Sequence, residues 1–196
     1  MSEQLKIRLA TTEDCQSIKT IYDWYVQNTH ISFEYETPSL DEMRSRMENI
    51  QARYPYLVAE LNNEIVGYAY AADFRHRAAY QWSPECTIYL SPENRGKGFG
   101  IILYNKLFNL LRHQGYYNVF AGVGLPNDAS VNLHLKCGFE VVGTYRNIGY
   151  KHNKWHSTQW FQLILNQHPA DPSPPKKPNE ISQDELDLVL NLNNKN

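Results

Sequence analysis
Arg95-Gly96-Lys97-Gly98-Phe99-Gly100 has the residue types and spacing of an anion cradle. Glycine at every second position lets the main chain approach a ligand with no Cβ in the way. An apolar helical segment opens at the same place, so its first amide N–H groups lack helical partners and carry the positive end of the dipole. That arrangement binds phosphate. The spacing excludes two common phosphate loops. A P-loop needs Gly-Lys-Ser/Thr after four intervening residues, whereas Gly98 is followed by Phe99. A dinucleotide fingerprint needs G-x-G-x-x-G and an acid about 20 positions on; the helix here runs to Gln114 without one.

Two further groups of residues carry chemistry. Asn127 is suited to cap a helix starting at Asp128, and Gly138 to end it. Ser130 and His134, four apart, then share one face of that helix. Arg75 and Arg77 follow a strand and precede Tyr80 and Trp82. Arginine holds a carboxylate or phosphinate through two parallel hydrogen bonds, so the pair suits a zwitterionic ligand; a solvated loop is the plainer alternative.

The elements that must position these residues are legible from periodicity. Lys6–Leu9 reads as a strand, and Thr11-Thr12-Glu13-Asp14 starts a helix with Ile18, Ile21, Tyr22, Tyr25 and Val26 on one face. A polar loop covers Asn28–Pro38. Ser39-Leu40-Asp41-Glu42 forms a capping box before a second amphipathic helix. Tyr56–Glu60 and Ile65–Ala72 are strands joined through Asn62-Asn63, and Glu85–Leu90 is a fourth strand entering the glycine loop. Val119–Val123, a helix over Asp128–Lys136, and strands at Phe139–Val142 and Gln159–Leu165 complete the order. This is an α/β chain with a mixed sheet, not a strictly alternating parallel one.

At 196 residues, 42% hydrophobic and 20% charged, the composition is that of one soluble globular domain. A net charge of −2 gives no argument for nucleic acid or an anionic membrane surface. Cys15, Cys86 and Cys137 are odd in number and far apart, which fits buried thiols in a reducing compartment and neither a disulfide framework nor a metal site. Met1-Ser2-Glu3-Gln4 has neither a basic nor an apolar leader region, and no apolar run reaches membrane-span length, so a cytoplasmic location is expected. Pro169, Pro172, Pro174, Pro175 and Pro178 crowd one stretch, so residues 168–196 read as a flexible tail after a domain at 1–167. Ile181–Leu192 could form an amphipathic turn or two, which alone is marginal in water, so a docking segment is the alternative to a floppy end.

The glycine run resembles the Arg/Gln-x-x-Gly-x-Gly/Ala pyrophosphate loop of the GCN5-related N-acetyltransferases (GNAT). Asn127-x-x-Ser130-x-x-x-His134-x-x-x-Gly138-Phe139 resembles the second half of the same signature. More closely, Thr29–Glu34, Phe74–Trp82, Ser83-Pro84-Glu85, Gly124–Asn127, Leu133-His134 and Gly149–Trp155 are similar to the phosphinothricin/methionine sulfoximine N-acetyltransferases, over about Ile7–Leu165. Phe99 and Leu135 are minor departures. The resemblance implies a GNAT fold with a mixed central sheet of six or seven strands flanked by about four helices. It implies acetyl-CoA as co-substrate, no metal, and acetylation of the α-amino group of a small amino-acid-like acceptor.

The resemblance also implies residue roles. Arg95, Gly96, Lys97, Gly98, Phe99, Gly100 and Ile101 would hold the pyrophosphate, with Lys97 reaching either phosphate or solvent. Asn127 and Ser130 would meet the pantetheine arm. Ile88, Tyr89 and Leu90 would offer strand main-chain groups to its amides. Glu85 is the expected general base, because an α-ammonium must lose a proton before it attacks, with a surface carboxylate at a strand end as the plainer reading. His134 is the expected acid toward the thiolate or an alternative base, with a structural histidine as the plainer reading. Phe33, Glu34, Arg75, Arg77, Tyr80 and Trp82 would bind the acceptor; Phe33 is equally plausible as core. A homodimer is implied by the family alone. A peptide N-terminal acetyltransferase and a non-catalytic acyl-CoA-binding module are the alternatives. The arginine pair argues against the first, and Glu85 together with His134 against the second.

Overall fold
The computed structural model describes residues 5–191; residues 1–4 (Met1-Ser2-Glu3-Gln4) and 192–196 (the end of the expected tail, from Leu192 on) lie outside the described residues. Seven strands form one sheet: β1 (Leu5–Leu9), β2 (Tyr56–Leu61), β3 (Glu64–Ala72), β4 (Glu85–Leu90), β5 (Asn118–Leu125), β6 (Glu140–Lys151) and β7 (Lys154–Ile164). Five helices accompany it: α1 (Cys15–Asn28), α2 (Leu40–Gln51), α3 (Phe99–Gln114), α4 (Asp128–Lys136) and α5 (Gln183–Asn191). The strand order is β1-β2-β3-β4-β5-β7-β6. Every neighbouring pair is antiparallel except β4 and β5, which run parallel and share the single register pair Glu85–Phe120. Parallel neighbours need a crossover, supplied by α3. Beyond Glu85 the two strands part and leave a gap between them.

Local chemistry sets the elements around that gap. The Ser39 hydroxyl accepts from Glu42 N at 3.2 Å while the Glu42 carboxylate accepts from Ser39 N at 2.7 Å, which fixes the start of α2. Asn62 and Asn63, at φ 52° and 65°, make the two-residue turn between β2 and β3. Both faces of the sheet are covered, so β2 alternates between two cores: Leu57, Ala59 and Leu61 pack under α3, and Tyr56 and Val58 under α1 and α2. Leu103, Leu107, Leu110 and Leu111 of α3 are fully buried, as are Ile18 of α1 and Met47 of α2.

Two expectations about the C-terminal third are corrected. The strands expected at Phe139–Val142 and Gln159–Leu165 are the outer parts of a long hairpin, turned by His152 and Asn153 at φ 50° and 59°. Register shifts at Val141/Gly143 and Tyr145/Gly149 break the two-residue alternation that marks a strand in sequence. The segment expected to be a loose tail runs back along α3. Lys176 N donates to Gln114 O at 2.8 Å, and α5 buries Val189 against the core, with Leu186 and Leu190 half-buried beside it. Proline prevents helix over this stretch but not an extended strap with apolar anchors at its far end. Among the described residues no helix is long and apolar enough to cross a membrane.

Candidate active site
A cleft of about 400 Å³ lies where β4 and β5 separate, between the N-terminus of α3 and α4. It is lined by Ile88, Tyr89 and Leu90 from β4, by Arg95, Gly96, Gly98, Gly100 and Ile101 from the loop and α3, and by Asn127 and Ser130 from α4. Gly98 stands at φ +84° with open space where a Cβ would sit, so the left-handed turn brings bare main chain to the cleft wall. Gly100 serves a different end: a Cβ there would come within 3.1 Å of Leu133, so its absence lets α3 and α4 close on each other. The first turn of α3 contains no acidic residue, and its last turn carries Arg112 and His113. The positive pole is therefore left open to a ligand.

Of the expected phosphate-loop residues, Lys97 and Phe99 do not line this cleft. Lys97 is exposed and donates to Asn94 Oδ1 at 2.8 Å; Phe99 packs inward against the core. Sequence reasoning missed Tyr25, Ile31, Ala129, Asn132, Leu133 and Lys136, all of which line the cleft. Tyr25 is the most informative of these. Its hydroxyl donates to Leu90 O at 2.7 Å, and the Arg95 guanidinium lies over Trp24 at 4.9 Å and over Tyr25 at 6.0 Å. One helix thus steadies both the strand and the arginine at the cleft. In sequence Tyr25 falls on the apolar face of α1 and reads only as core.

Glu85 opens β4 at the register pair below which the strands are joined and above which they part. Cys86 is buried in the core under α3, so the alternation of the strand turns Glu85, Thr87 and Tyr89 to the α1/α2 face. Burial raises the Glu85 carboxyl to about 7, against the opposing pull of the Arg75 guanidinium. A carboxyl that titrates near neutrality can take a proton from an ammonium without holding it permanently.

His134 is placed differently from expectation. It is buried, its Nδ1–H donates to Ser130 O at 2.7 Å, and its Nε2 accepts from the Tyr104 hydroxyl at 3.1 Å. The ring stacks on Phe161 at 5.3 Å, and burial lowers its pKa, which favours the neutral form. It does not line the cleft. The plainer reading, a satisfied core histidine, describes this geometry.

The acceptor-side candidates come together only in part. Phe33 lies across Gly149 so closely that a Cβ there would meet its ring at 2.4 Å, and it also fronts Gly124. Glu34 pairs with Arg46 at 2.7 Å, at a second cavity of about 360 Å³ walled by Tyr22, Tyr56, Tyr68, Tyr70, Met43 and Met47. Arg75 stacks over Phe74 at 4.7 Å, and Phe74 stacks on Phe120, the register partner of Glu85, at 4.7 Å. Tyr80 meets the same Phe74 edge-on at 6.4 Å. Arg77 is exposed at the start of a short 3-10 turn. Trp82 turns elsewhere: its indole N–H donates to Ser173 O at 2.8 Å. Loop and hairpin are joined by Lys151, whose buried ammonium donates to Val26 O at 2.7 Å and Ser32 O at 2.8 Å. Among the described residues no group of three or more His, Cys, Asp or Glu is arranged to hold a metal ion.

Comparison with known proteins matches this geometry to a family. Residues 7–160 fit the family model of the acetyltransferase (GNAT) domain. Phosphinothricin N-acetyltransferase of Streptomyces viridochromogenes is 37% identical over 177 residues, covering 90% of this chain and 96% of that one. The L-methionine sulfoximine/L-methionine sulfone acetyltransferase of Salmonella typhimurium is 32% identical over 167 residues, covering 85% and 98%. The phosphinothricin acetyltransferase of Sinorhizobium meliloti, solved in complex with acetyl-CoA, has a TM-score of 0.82 at 37% identity, over 91% of this chain and 95% of that one. With the splayed β4–β5 pair and the glycine loop at the start of α3, these matches establish the chain as a member of the GNAT acetyltransferase family.

Proposed function
We propose that this chain is an acetyl-CoA-dependent N-acetyltransferase acting on the α-amino group of small amino-acid-like acceptors of the phosphinothricin, methionine sulfoximine or methionine sulfone type. One observation carries the reading: a single short strand, β4, runs from a carboxyl titrating near 7 to the glycine loop at the positive pole of α3. Acetyl-CoA, when bound, supplies an activated acetyl thioester. The amides around Gly96, Gly98 and Gly100, with Arg95, hold its pyrophosphate, and main-chain groups of Ile88–Leu90 face its pantetheine amides. Glu85 takes the proton of the acceptor ammonium, directly or through one water; the freed amine would attack the thioester carbonyl, the C–S bond would break as the amide forms, and the second proton shed by the nitrogen would go to the departing CoA thiolate. Arg75 offers its guanidinium to the carboxylate or phosphinate of the acceptor.

Direct transfer is favoured over an acyl-cysteine relay. Burial pushes the Cys86 thiol up, and that of Cys137 to about 11, so neither is a nucleophile at neutral pH. Free thiols at Cys15, Cys86 and Cys137 suit the reducing cytoplasm, the location we assign. A second copy of the chain is the partner we assign to the outer strand β6. Val141, Val142, Tyr145, Ile148 and Tyr150 are all about half exposed on that edge, and an uncovered apolar edge strand invites pairing.

Released CoA thiol, measured with phosphinothricin, methionine sulfoximine, methionine sulfone and a set of peptides, tests the assignment. The small zwitterions are expected to turn over and the peptides not. Turnover of peptides alone would select the N-terminal acetyltransferase reading, and tight CoA binding with no turnover of any amine the non-catalytic module.

A further inference from the structure
The extended segment after β7 is tied to both ends of one loop, residues 73–84, which joins β3 to β4 and bears Arg75. From Arg75 to Gln81 this loop is exposed apart from residues at its margin, and its hydrogen bonds are those of its own turn, such as Tyr80 N to Arg77 O at 2.9 Å. Where its middle stands is therefore decided by how its ends are held. Phe74 seats one end on Phe120. At the other, the main chain of Trp82 accepts from Tyr117 N at 3.1 Å and Asn118 N at 3.4 Å, while its side chain is held by the strap, the indole N–H donating to Ser173 O at 2.8 Å.

The near end is reached through a short relay. Gln114, only 2% exposed, donates from Nε2 to Lys176 O at 2.8 Å and to Arg53 O at 3.3 Å. The guanidinium of that same Arg53 donates to Asp73 Oδ1 at 2.9 Å, one residue before Phe74. Ile181 and Val189, 8% and 5% exposed, root the segment in the core beyond these contacts. The family model ends at residue 160, ahead of all of it.

We propose that residues 168–191 form a strap that sets the acceptor-side loop, with Trp82 and Gln114 as the positioning residues through which it acts on Arg75. The inference rests on the reading of Arg75 as an acceptor-binding group. With the Trp82 side chain freed, the loop keeps its main-chain seat but loses one restraint and samples more conformations; acceptor binding must then select the competent one, so the loss appears in acceptor affinity and not in the cofactor cleft.

Two variants of the full chain test it: Trp82→Phe, which removes the hydrogen bond, and Ile181→Asp, which unroots the strap without touching the loop. KM is measured for acceptor and for acetyl-CoA, and tryptic cleavage after Arg75 and Arg77 is followed without ligands. Both variants are expected to raise the acceptor KM about three- to tenfold, leave that for acetyl-CoA within about twofold, and speed cleavage. Unchanged cleavage with unchanged acceptor KM overturns the strap, and so does an equal rise in both KM values, which marks a general loss of structure. Arg75→Ala separates the two ideas. If it leaves the acceptor KM unchanged, the acceptor reading fails, and the cleavage rates still decide whether the strap holds the loop.

Discussion
The cofactor cleft and the acceptor side are built on different plans. The cleft is made from one continuous stretch, β4 through the glycine loop into α3, with α4 behind it. The groups we propose for its ligand are largely main-chain amides, fixed once the strand and helix form. The proposed acceptor side draws Phe33 and Glu34 from the loop after α1, Arg75 and Tyr80 from the loop after β3, and its backing from the β6–β7 hairpin. Its ligand groups are long side chains on exposed loops. A backbone-built site depends little on side-chain identity, whereas a side-chain site on loops changes readily with sequence.

Glu85 sits between the two, and its replacement is the strongest way to break the comparison. Glu85→Gln is expected to lower kcat by about a hundredfold or more, the range of a lost general base, with acetyl-CoA affinity nearly unchanged. A fall in acetyl-CoA affinity of the same size would show that the carboxyl belongs to the cleft. Stability should move the other way. The folded-state pKa of about 7 lies above the ordinary 4.5, so the folded chain binds the extra proton between these values and loses stability as pH rises through that window. Glu85→Gln should therefore gain over wild type in stability as pH rises from 4.5 to 8, by up to about 3 kcal/mol, read as a Tm difference between the two that widens across that range.

What the sequence discloses divides along the same line. The bounds of β4 and α4, the Asn62-Asn63 turn and the glycine loop are short-range signals, and each stands in the structure where periodicity and capping residues put it. Long-range pairing leaves no such mark. Nothing near Trp82 tells that its indole meets Ser173, and nothing near His134 tells that Tyr104, thirty residues away, closes its second nitrogen. Tyr25 reads as core because the same helical face serves both core and cleft. The proline run reads as loose because composition reports the absence of helix and says nothing of the carbonyls that Trp82 and Gln114 bind.

On the cleft side, Arg95→Ala sharpens the contrast. It removes the one cationic side chain that stacks on Trp24 beside the glycine loop. A charge-assisted bond to phosphate contributes about 1.5–3 kcal/mol, less where, as at Arg95, the side chain is exposed, so the acetyl-CoA KM should rise about five- to tenfold. The acceptor KM should stay within about twofold. If both rise together, cleft and acceptor side are one coupled unit and the division fails.

Arg75→Ala is the acceptor-side counterpart, with the smallest expected change in affinity. Arg75 sits on an exposed loop where solvent screens its charge, so its bond to an acceptor anion should be worth about 1 kcal/mol or less. That corresponds to an acceptor KM raised about three- to fivefold. Its second effect is the more telling. The Arg75 guanidinium opposes the upward pull of burial on Glu85, and a base works only when deprotonated. In the wild type, kcat/KM should climb with pH through a midpoint near 7. Without Arg75 the carboxyl is held protonated to higher pH, so the midpoint must move upward, and activity at pH 6.5 falls by more than activity at pH 8.5. A raised KM with an unmoved midpoint would leave Arg75 an acceptor contact but sever it from Glu85; a moved midpoint with an unchanged KM would make it a tuner of the base alone.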